Sequence, residues 1–269
     1  MQGTNDLRFA LELARAAAQE IVPRFQRYFG SRTTVTTKKD GSVVTEADLA
    51  AERVMRRMIS ERYSGDGILG EEEGVSPGSR DRTWVIDPID GTSSFSLGLA
   101  EFGTLVALME GRTPVLGVIH FPVASESIYA ETGGGCWRVG ESGEAEQVRV
   151  DDSVTRLTDA SISVSHVEGS ELRGSLANWR SARLIGAARQ LYFIGDCVQY
   201  GVLVRGHIHA ALDAVMQPWD VAALLPCIYE AGGVASTVDG NCVDLVFGGS
   251  LLASSSRTLH DEILSAIRR

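Results

Sequence analysis

The sequence predicts a mixed fold, with an α+β first half and an α/β second half. Before about residue 150, two amphipathic helical segments precede short strands joined by Gly- and Pro-containing turns, as expected for helices packed on an antiparallel sheet. From about residue 151 onward, strands alternate with helices, which is typical of α/β structure. We therefore expect two closely packed domains, 1–150 and 151–269, with a functional site at their junction.

The first half begins with a long helix that starts at Thr4 or Asn5 and ends near Phe29. Apolar side chains recur along it at helical spacing, so one face should lie in the core. They belong to Leu7, Leu11, Ala14, Ala18, Ile21, Val22 and Phe25. Pro23 falls inside the segment and should kink the helix.

A second helix is predicted after a polar, glycine-containing arm over residues 31–43. Thr45-Glu-Ala-Asp48 resembles a capping box, in which a threonine at the cap is followed three residues later by an acid. The helix then extends to about residue 63. Its inward apolar residues should be Val54, Met55, Met58 and Ile59.

Short apolar segments predict the strands, and longer periodic segments predict the remaining helices. Strands are expected at 68–70, 84–87, 105–109, 115–121, 127–130, 136–139, 161–165, 184–186, 210–214, 234–236 and 251–253. Helices are expected at 171–182, 196–205, 221–231 and 258–267.

Residues 84–92 carry the strongest local signal, because they predict a buried strand that ends in acids and a tight turn. The first three residues favour β structure, and Pro88 should stop the strand since it has no backbone donor. Gly91 can adopt the positive φ of a sharp turn. Thr92 and Ser93 can then cap a short helix.

Asp87 and Asp90 would be held close together by this turn, where their charges repel. A divalent cation with oxygen ligands would relieve that repulsion, and the N–H groups of the turn and helix start suit a phosphate. The combination suggests phosphoryl chemistry. The same residues are also compatible with an ordinary Asp-Gly turn and a solvated strand end.

Three further acids lie at the ends of predicted elements. Glu71 follows the 68–70 strand, Asp220 precedes the 221–231 helix, and Asp48 lies in the first turn of the second helix. Each of them alone could be a helix cap or part of a solvated acidic run.

Bulk properties exclude several classes of partner. The chain has 269 residues, a formal net charge of −10 and a pI of about 5.0, so nucleic acid and anionic membranes are not expected partners. The sequence has no signal-peptide pattern or membrane-spanning apolar run, and we expect a cytoplasmic protein. Four cysteines match no zinc or redox motif and should be reduced thiols. His207 and His209 are expected to be structural or exposed.

Together, these motifs resemble the inositol-monophosphatase superfamily of magnesium-dependent phosphatases over nearly the whole chain. The resemblance rests on Val44-Thr-Glu-Ala-Asp48, Gly70-Glu-Glu72, Trp84-Val-Ile-Asp-Pro-Ile-Asp-Gly-Thr92, Pro218-Trp-Asp-Val-Ala-Ala223 and Glu230-Ala-Gly-Gly233, in the family's order. It implies a layered αβαβα sandwich of the inositol-monophosphatase and fructose-bisphosphatase type. It also implies a homodimer that acts on a small phosphorylated metabolite.

The resemblance further implies a site with two or three Mg²⁺ ions. Glu71, Asp87 and the carbonyl of Ile89 would hold one ion. Asp87, Asp90 and Asp220 would hold a second. A third, more weakly held ion would lie near Glu71 through water molecules. These ligands are the carboxylate, carbonyl and water oxygens that Mg²⁺ prefers.

By the same resemblance, Asp48 and Thr92 would position or deprotonate the attacking water, and Glu71 would be a further catalytic residue. Backbone and hydroxyl donors would meet the phosphate from Gly91, Thr92 and Ser93. Lys38 matches a family lysine in the arm before Asp48, although Lys39 beside it leaves the register open.

Two acids in the second half bear on the substrate. In inositol-specific members, the helix start that corresponds to Gly195-Asp196-Cys197 usually carries small neutral residues, and the position of Asp213 carries a glutamate that meets sugar hydroxyls. Asp196 adds a carboxylate that would suit the cationic groups of histidinol phosphate. The pattern looks like the histidinol-phosphate phosphatase branch, in histidine biosynthesis, although Asp196 could also be a plain N-cap.

Other functions stay open. A broad inositol-1-monophosphatase is the nearest alternative. Adenosine 3′,5′-bisphosphate hydrolysis is less favoured, because a second phosphate would need a basic pocket. A catalytically silent binding module should have lost a metal ligand, whereas Glu71, Asp87, Asp90 and Asp220 are all acidic.

Overall fold

The computed structural model describes residues 3–28, 36–37, 43–165 and 181–268. Its helices are α1 (Asn5–Tyr28), α2 (Glu46–Arg62), α3 (Thr92–Ser96), α4 (Ser181–Leu184), α5 (Asp196–Val204), α6 (Pro218–Ala222), α7 (Leu224–Glu230) and α8 (Arg257–Arg268). Its strands are β1 (Thr36–Thr37), β2 (Val43–Val44), β3 (Gly67–Gly70), β4 (Gly74–Ser76), β5 (Arg82–Asp90), β6 (Gly103–Glu110), β7 (Thr113–Phe121), β8 (Glu126–Glu131), β9 (Cys136–Val139), β10 (Ala145–Gln147), β11 (Ser161–Val164), β12 (Gln190–Tyr192), β13 (Ala210–Asp213), β14 (Val234–Ser236) and β15 (Leu251–Ser254). Short 3-10 turns lie at Leu157–Asp159 and Leu245–Phe247.

An eight-stranded sheet occupies the first half, in the order β10-β9-β8-β7-β6-β5-β3-β4. All of its pairs are antiparallel except β3 with β5, which are parallel. The expectation of an antiparallel sheet was therefore wrong at this one pair. Strand β4 lies at the edge of the sheet and pairs antiparallel with β3. The chain then passes back so that β5 begins beside the first residue of β3 and runs parallel to it.

A second sheet of five strands follows in the order β12-β11-β13-β15-β14. Helices α1 and α2 pack on one face of the larger sheet, whereas α5, α6 and α7 fill the space between the two sheets. Helices α4 and α8 pack together, and α8 lies against β14 and β15 of the second sheet. The resulting layers confirm the predicted αβαβα sandwich.

The apolar pattern of the first two helices is largely confirmed. Most of the predicted stripe of α1 is buried, while Ala18 and Val22 are half-buried. In α2, Met55 and Ile59 are buried and Val54 and Met58 are half-buried. Helix α1 continues through Pro23.

Two assignments in the second half differ from the sequence-based expectation, and a third is largely untested. The segment 184–186 is not a strand, because Leu184 ends α4 and the edge strand β12 comes later. The expected 221–231 helix is divided into α6 and α7 at Ala223, since Pro226 cannot donate a helical hydrogen bond to the carbonyl of Ala222. Most of the expected 171–182 helix lies outside the described residues.

The larger sheet is built before residue 150 and the smaller one after residue 160. Helix α7, which follows residue 150 in the chain, packs directly on β7 and β8, which precede it. The division into two domains at residue 150 therefore stays a prediction.

Cys136, Cys197 and Cys227 are buried and Cys242 is exposed, all as free thiols. Among the described helices, none has both the length and the apolar character needed to cross a bilayer.

Candidate metal centre and active site

A bulge in β5 brings two carboxylates to the same face of the eight-stranded sheet. Asp87 lies opposite Leu105 and Asp90 lies opposite Gly103, so three steps along β5 match two steps along β6. Side chains alternate between faces along a regular strand, and residues three apart would face opposite sides. The extra residue of the bulge cancels this alternation. Asp87 and Asp90 therefore point to the same side.

Pro88 lies inside this bulge, and the expectation that it would stop the strand was wrong, since β5 continues to Asp90. Proline is tolerated here because a bulge removes residues from the hydrogen-bonded ladder. The carbonyl of Pro88 accepts a hydrogen bond from the Thr104 hydroxyl at 2.8 Å. The next carbonyl, that of Ile89, is 3.0 Å from the Thr92 hydroxyl. Its role as a metal ligand stays a prediction.

Asp220 completes a compact group of three carboxylates. It is the third residue of α6, and the backbone N–H of Gln217 donates to its Oδ2 at 2.7 Å. One carboxylate oxygen from each of Asp87, Asp90 and Asp220 lies within 4.8 Å of the others. Hard oxygen donors at this spacing suit a divalent cation.

Glu71 lies beside this group because β3 and β5 run parallel. The last pair in register joins Gly70 to Ile86, so Glu71 continues β3 where Asp87 continues β5. After burial, the charge of Glu71 is the largest cause that raises the pKa of Asp87. The compact three-carboxylate group does not itself include Glu71. Its role as a shared ligand therefore stays a prediction.

Burial makes the negative charge of this group costly. Burial first, and then neighbouring carboxylates, raise the pKa values of Asp87 and Asp90 well above the usual aspartate range. The pKa of Asp220 is raised to about 8, chiefly by burial. Oδ1 of Asp87 is buried and has no hydrogen-bond partner among the described residues. A bound divalent cation would supply the missing counter-charge and coordinate this oxygen.

Asp48 faces the group from the first turn of α2. The predicted capping box is confirmed, because the backbone N–H of Thr45 donates to the Asp48 side chain and the Thr45 side chain accepts from the backbone N–H of Asp48. The Thr45 hydroxyl also donates to Asp48 Oδ2. The Thr92 hydroxyl lies 3.2 Å from Asp48 Oδ1 and can donate either to it or to the carbonyl of Ile89. Asp48 is fully buried, and burial raises its pKa to about 6. Its carboxylate is therefore suited to accept a proton near neutral pH.

The turn after Asp90 differs in one detail from the expectation. Gly91 has the predicted positive φ, of 101°. It is itself the N-cap of α3, and no side chain caps this helix, so the expected cap by Thr92 or Ser93 was wrong. The N–H groups of a first helical turn have no acceptor within the helix. Those of Gly91, Thr92 and Ser93 stay predicted contacts for a phosphate.

Helix α5 brings Asp196 to the same turn. Its N-cap is Gly195, and Asp196 follows in the left-handed conformation with φ of 54°, so the plain N-cap alternative is not what the structure has. A Cβ placed on Gly91 would lie 3.0 Å from Asp196 Oδ2. The neighbouring N–H of Cys197 donates to Asp90 Oδ2. After burial, Asp196 is the charge that most raises the pKa of Asp90.

Asp213 approaches this region from the end of β13. Its Oδ1 accepts a hydrogen bond from the backbone N–H of Val215 at 3.1 Å. The charges of Asp213 and Asp196 both raise the pKa of Asp220, and both raise that of the buried Tyr200. The two predicted specificity residues therefore lie beside the three-carboxylate group. Contact with a substrate stays a prediction for both.

The remaining predicted residues are two lysines and two histidines. Lys38 and Lys39 lie outside the described residues. His207 is exposed, whereas His209 is buried and accepts a hydrogen bond from the backbone N–H of Ser161 at 2.9 Å. Both histidines agree with the structural or exposed role expected for them.

The sequence-based reasoning missed a buried ion pair on α2. Glu52 is fully buried, and Arg56 Nε lies 2.7 Å from its Oε1. Spacing could have revealed this pair, because residues four apart lie on one helix face and Asp48, Glu52 and Arg56 continue one row. Charged residues on the same face as Met55 signal a specific partner, since such residues are rarely buried unpaired.

Comparison with known proteins settles the family. Residues 4–269 match the model of the Inositol monophosphatase family. The chain belongs to the inositol monophosphatase family. Members of this family are metal-dependent phosphatases that act on small phosphorylated substrates, and the chain is accordingly a phosphomonoester-hydrolysing enzyme.

Relatives of this family member include histidinol-phosphatases and inositol monophosphatases. A histidinol-phosphatase of Chlorobaculum parvum is 34% identical over 98% of this chain and 97% of its own length. A histidinol-phosphatase of Mycobacterium tuberculosis is 33% identical over 98% of each chain. The solved structure of an inositol monophosphatase from Zymomonas mobilis has a TM-score of 0.83 and 31% identity, and the match covers 98% of both chains.

Proposed function

We propose that this chain is a Mg²⁺-dependent phosphatase that converts L-histidinol phosphate and water into L-histidinol and phosphate. The observation that carries the choice of substrate is the position of Asp196, whose carboxylate lies against the Gly91 turn beside Asp90. A homodimer in the cytoplasm, with two or three Mg²⁺ ions per site, completes the proposal.

The proposed metal ligands are all oxygen donors. They are the side chains of Glu71, Asp87, Asp90 and Asp220 and the carbonyl of Ile89. Bound Mg²⁺ would lower the pKa of a coordinated water, screen the phosphate charge and stabilise the leaving alkoxide. Burial and neighbouring carboxylate charges raise the pKa values of Asp87, Asp90 and Asp220 when no cation is bound, which supports this assignment.

The proposed role of Asp48 is to accept a proton from the attacking water. Its Oδ2 is held by Thr45 and its Oδ1 lies near Thr92, so the carboxylate has a defined orientation. The Thr92 hydroxyl would orient the water. The N–H groups of Gly91, Thr92 and Ser93 would hold the phosphate oxygens at the start of α3.

Charge complementarity favours histidinol phosphate as the substrate. Histidinol phosphate carries an ammonium group and an imidazole, which can form charge-assisted hydrogen bonds with Asp196 and Asp213. A neutral polyol has no positive charge to complement these two carboxylates. Two relatives named histidinol-phosphatase, at 34% and 33% identity, support the same choice.

Inositol-1-phosphate is the alternative substrate. It is favoured by the likeness to the inositol monophosphatase of Zymomonas mobilis, at 31% identity. Asp213 could accept hydrogen bonds from sugar hydroxyls as readily as from an ammonium group.

A substrate panel tests the proposal. Phosphate release by the full chain should be measured with Mg²⁺ and with EDTA, using L-histidinol phosphate, inositol 1-phosphate and adenosine 3′,5′-bisphosphate. We expect Mg²⁺-dependent turnover with the highest kcat/KM for L-histidinol phosphate. If inositol 1-phosphate is hydrolysed equally well or better, the choice of substrate is wrong while the metal site stands.

Asp196→Asn tests the residue that carries the proposal. Asparagine is also tolerated in the left-handed conformation, so the variant should fold normally. Loss of a charge-assisted hydrogen bond should reduce kcat/KM for L-histidinol phosphate about tenfold, with little change for inositol 1-phosphate. Asp244→Asn is the matched control, because Asp244 has φ of 53° but pairs with Arg112. Equal losses on both substrates would contradict a specificity role.

A further inference from the structure

A buried carboxylate on α2 holds the backbone of the turn that carries Glu71. Oε2 of Glu52 accepts a hydrogen bond from the N–H of Glu72 at 2.8 Å, and Oε1 accepts one from the N–H of Glu73 at 2.9 Å. Glu52 is fully buried, so these hydrogen bonds form away from solvent. The turn between β3 and β4 is therefore anchored at its two residues immediately after Glu71.

Arg56 holds this carboxylate from one helical turn further along α2. Its Nε donates to Glu52 Oε1 at 2.7 Å, its Nη1 donates to Ser76 Oγ at 3.0 Å, and its Nη2 donates to the carbonyl of Gly74. Arg56 thereby reaches β4 while Glu52 reaches the turn before it. The two side chains together tie α2 to both ends of the β3–β4 turn.

Gly70 allows this close approach. A Cβ at this position would lie within 3 Å of Glu52 Oε1 and Cδ and of Arg56 Nη2. Such contacts do not occur in folded proteins, so any larger residue here would displace the carboxylate. Gly70 is also the last residue of β3, directly before Glu71. The need for glycine at this position therefore follows from the packing of Glu52.

We propose that Glu52 and Arg56 are positioning residues that hold Glu71 in place to coordinate metal. This inference rests on the proposed function, because it takes Glu71 as a ligand. A buried ion pair contributes little net stability, since desolvation offsets the attraction between its charges. The ion pair acts here by orienting the turn that carries Glu71. Asp48 and Glu52 lie one turn apart on the same helix, so α2 positions both the capping-box carboxylate of Asp48 and the Glu71 turn.

Outer residues that orient metal ligands commonly contribute about 10–100-fold in metal affinity. Glu52→Gln keeps the volume of the side chain but can accept only one of the two backbone hydrogen bonds. We expect it to raise the Mg²⁺ concentration for half-maximal rate about tenfold, while kcat at saturating Mg²⁺ stays within about twofold of the wild-type value. The Mg²⁺ concentration for half-maximal thermal stabilisation should rise equally, which provides a readout independent of turnover.

Asp66→Asn is the matched control. Asp66 is a buried carboxylate immediately before β3, where it accepts a hydrogen bond from Trp84 Nε1 and lies 3.4 Å from Arg82 Nε. Its replacement should lower the melting temperature without changing the Mg²⁺ requirement. Gly70→Ala is a second test, because it leaves both charged residues in the sequence and should mimic Glu52→Gln.

The outcomes separate the two proposals. If the wild-type protein shows neither Mg²⁺-dependent turnover nor Mg²⁺-dependent stabilisation, the proposed function is wrong, and this inference is wrong with it. A wild-type protein that needs Mg²⁺, with Glu52→Gln needing the same concentration, would overturn the positioning role alone. An equal shift in Asp66→Asn would also overturn it, because general destabilisation would then account for the effect.

Discussion

The Thr92 hydroxyl and the Asp48 carboxylate lie 3.2 Å apart, although 44 residues separate them in sequence. The contact joins the first turn of α2 to the first residue of α3. Because Thr92 can also donate to the carbonyl of Ile89, one hydroxyl links the proposed general base to the bulge that carries Asp87 and Asp90.

Thr92→Val should abolish this link while it preserves the shape of the side chain. We expect kcat at saturating Mg²⁺ to fall by about a hundredfold or more, in the range found for groups that take part in proton transfer. Thr92→Ser keeps the hydroxyl and should stay within about tenfold of wild type. Initial rates of phosphate release on L-histidinol phosphate measure both. Similar rates for the two variants would contradict a role for the hydroxyl.

The metal-free protein should become less stable as pH rises, because of the three-carboxylate group. Asp220 has a pKa of about 8 in the folded chain, above its usual value of 3.8. Its protonated form is thus the better tolerated one, and ionisation destabilises the fold progressively from about pH 4 to about pH 8. In EDTA, Asp220→Asn should therefore melt above wild type at pH 8, and this difference should vanish towards pH 4.

Added Mg²⁺ should reverse the order at pH 8, since a ligand that binds only the folded state stabilises it. His120 and His260 also affect the pH profile, because burial lowers the pKa of each to about 4 and acid therefore destabilises the fold. The wild-type protein and Asp220→Asn share these histidines, so the difference between their melting temperatures reports the effect of Asp220 alone. A wild-type protein that melts above Asp220→Asn in EDTA at pH 8 would show that the carboxylate charge is not costly.

The part of this site formed by Asp87 and Asp90 could be predicted from the sequence because it is local. Asp87 and Asp90 belong to one strand end, and Gly91 has the positive φ that the Asp-Gly turn requires. The bulge that aligns the two acids was not predicted, because it depends on how β5 pairs with β6. Pro88 therefore ended the strand in the prediction but not in the structure.

Glu52 shows what a local pattern cannot reveal. Its acceptor role depends on the N–H groups of Glu72 and Glu73, which lie on the β3–β4 turn and approach only after α2 packs beside the sheet. A short apolar segment can likewise be assigned to the wrong kind of element. The apolar pair at Leu184 and Ile185 favoured a strand, whereas Leu184 packs in the core at the end of α4 and Ile185 is 60% exposed.

Asp196→Gly should exchange selectivity for stability. Asp196 has φ of 54°, which glycine adopts without a steric penalty, and its charge adds to that of Asp90. We expect the metal-free variant to gain up to about 1 kcal/mol, or a rise in melting temperature of about 2–4 °C. Its preference for L-histidinol phosphate over inositol 1-phosphate should fall. A lower melting temperature with unchanged preference would mean that Asp196 mainly supports the fold.

Gly91→Ala should damage the site beyond its effect on backbone strain. A Cβ on Gly91 would lie 2.9 Å from the carbonyl oxygen of Glu101 and 3.0 Å from Asp196 Oδ2, so the turn that presents Asp90 would have to move. Gly98→Ala is the matched control, because Gly98 has φ of 75° and a Cβ there meets nothing within 4 Å. Both variants should lose about 1 kcal/mol from the unfavourable φ.

Only Gly91→Ala should also reduce kcat/KM, by about a hundredfold, since displacements of about 1 Å at a reacting centre have costs of this size. Melting temperatures measured in EDTA and rates measured at saturating Mg²⁺ separate the two effects. Equal rates for the two variants would mean that the close contacts at Gly91 are relieved without moving Asp90 or the start of α3.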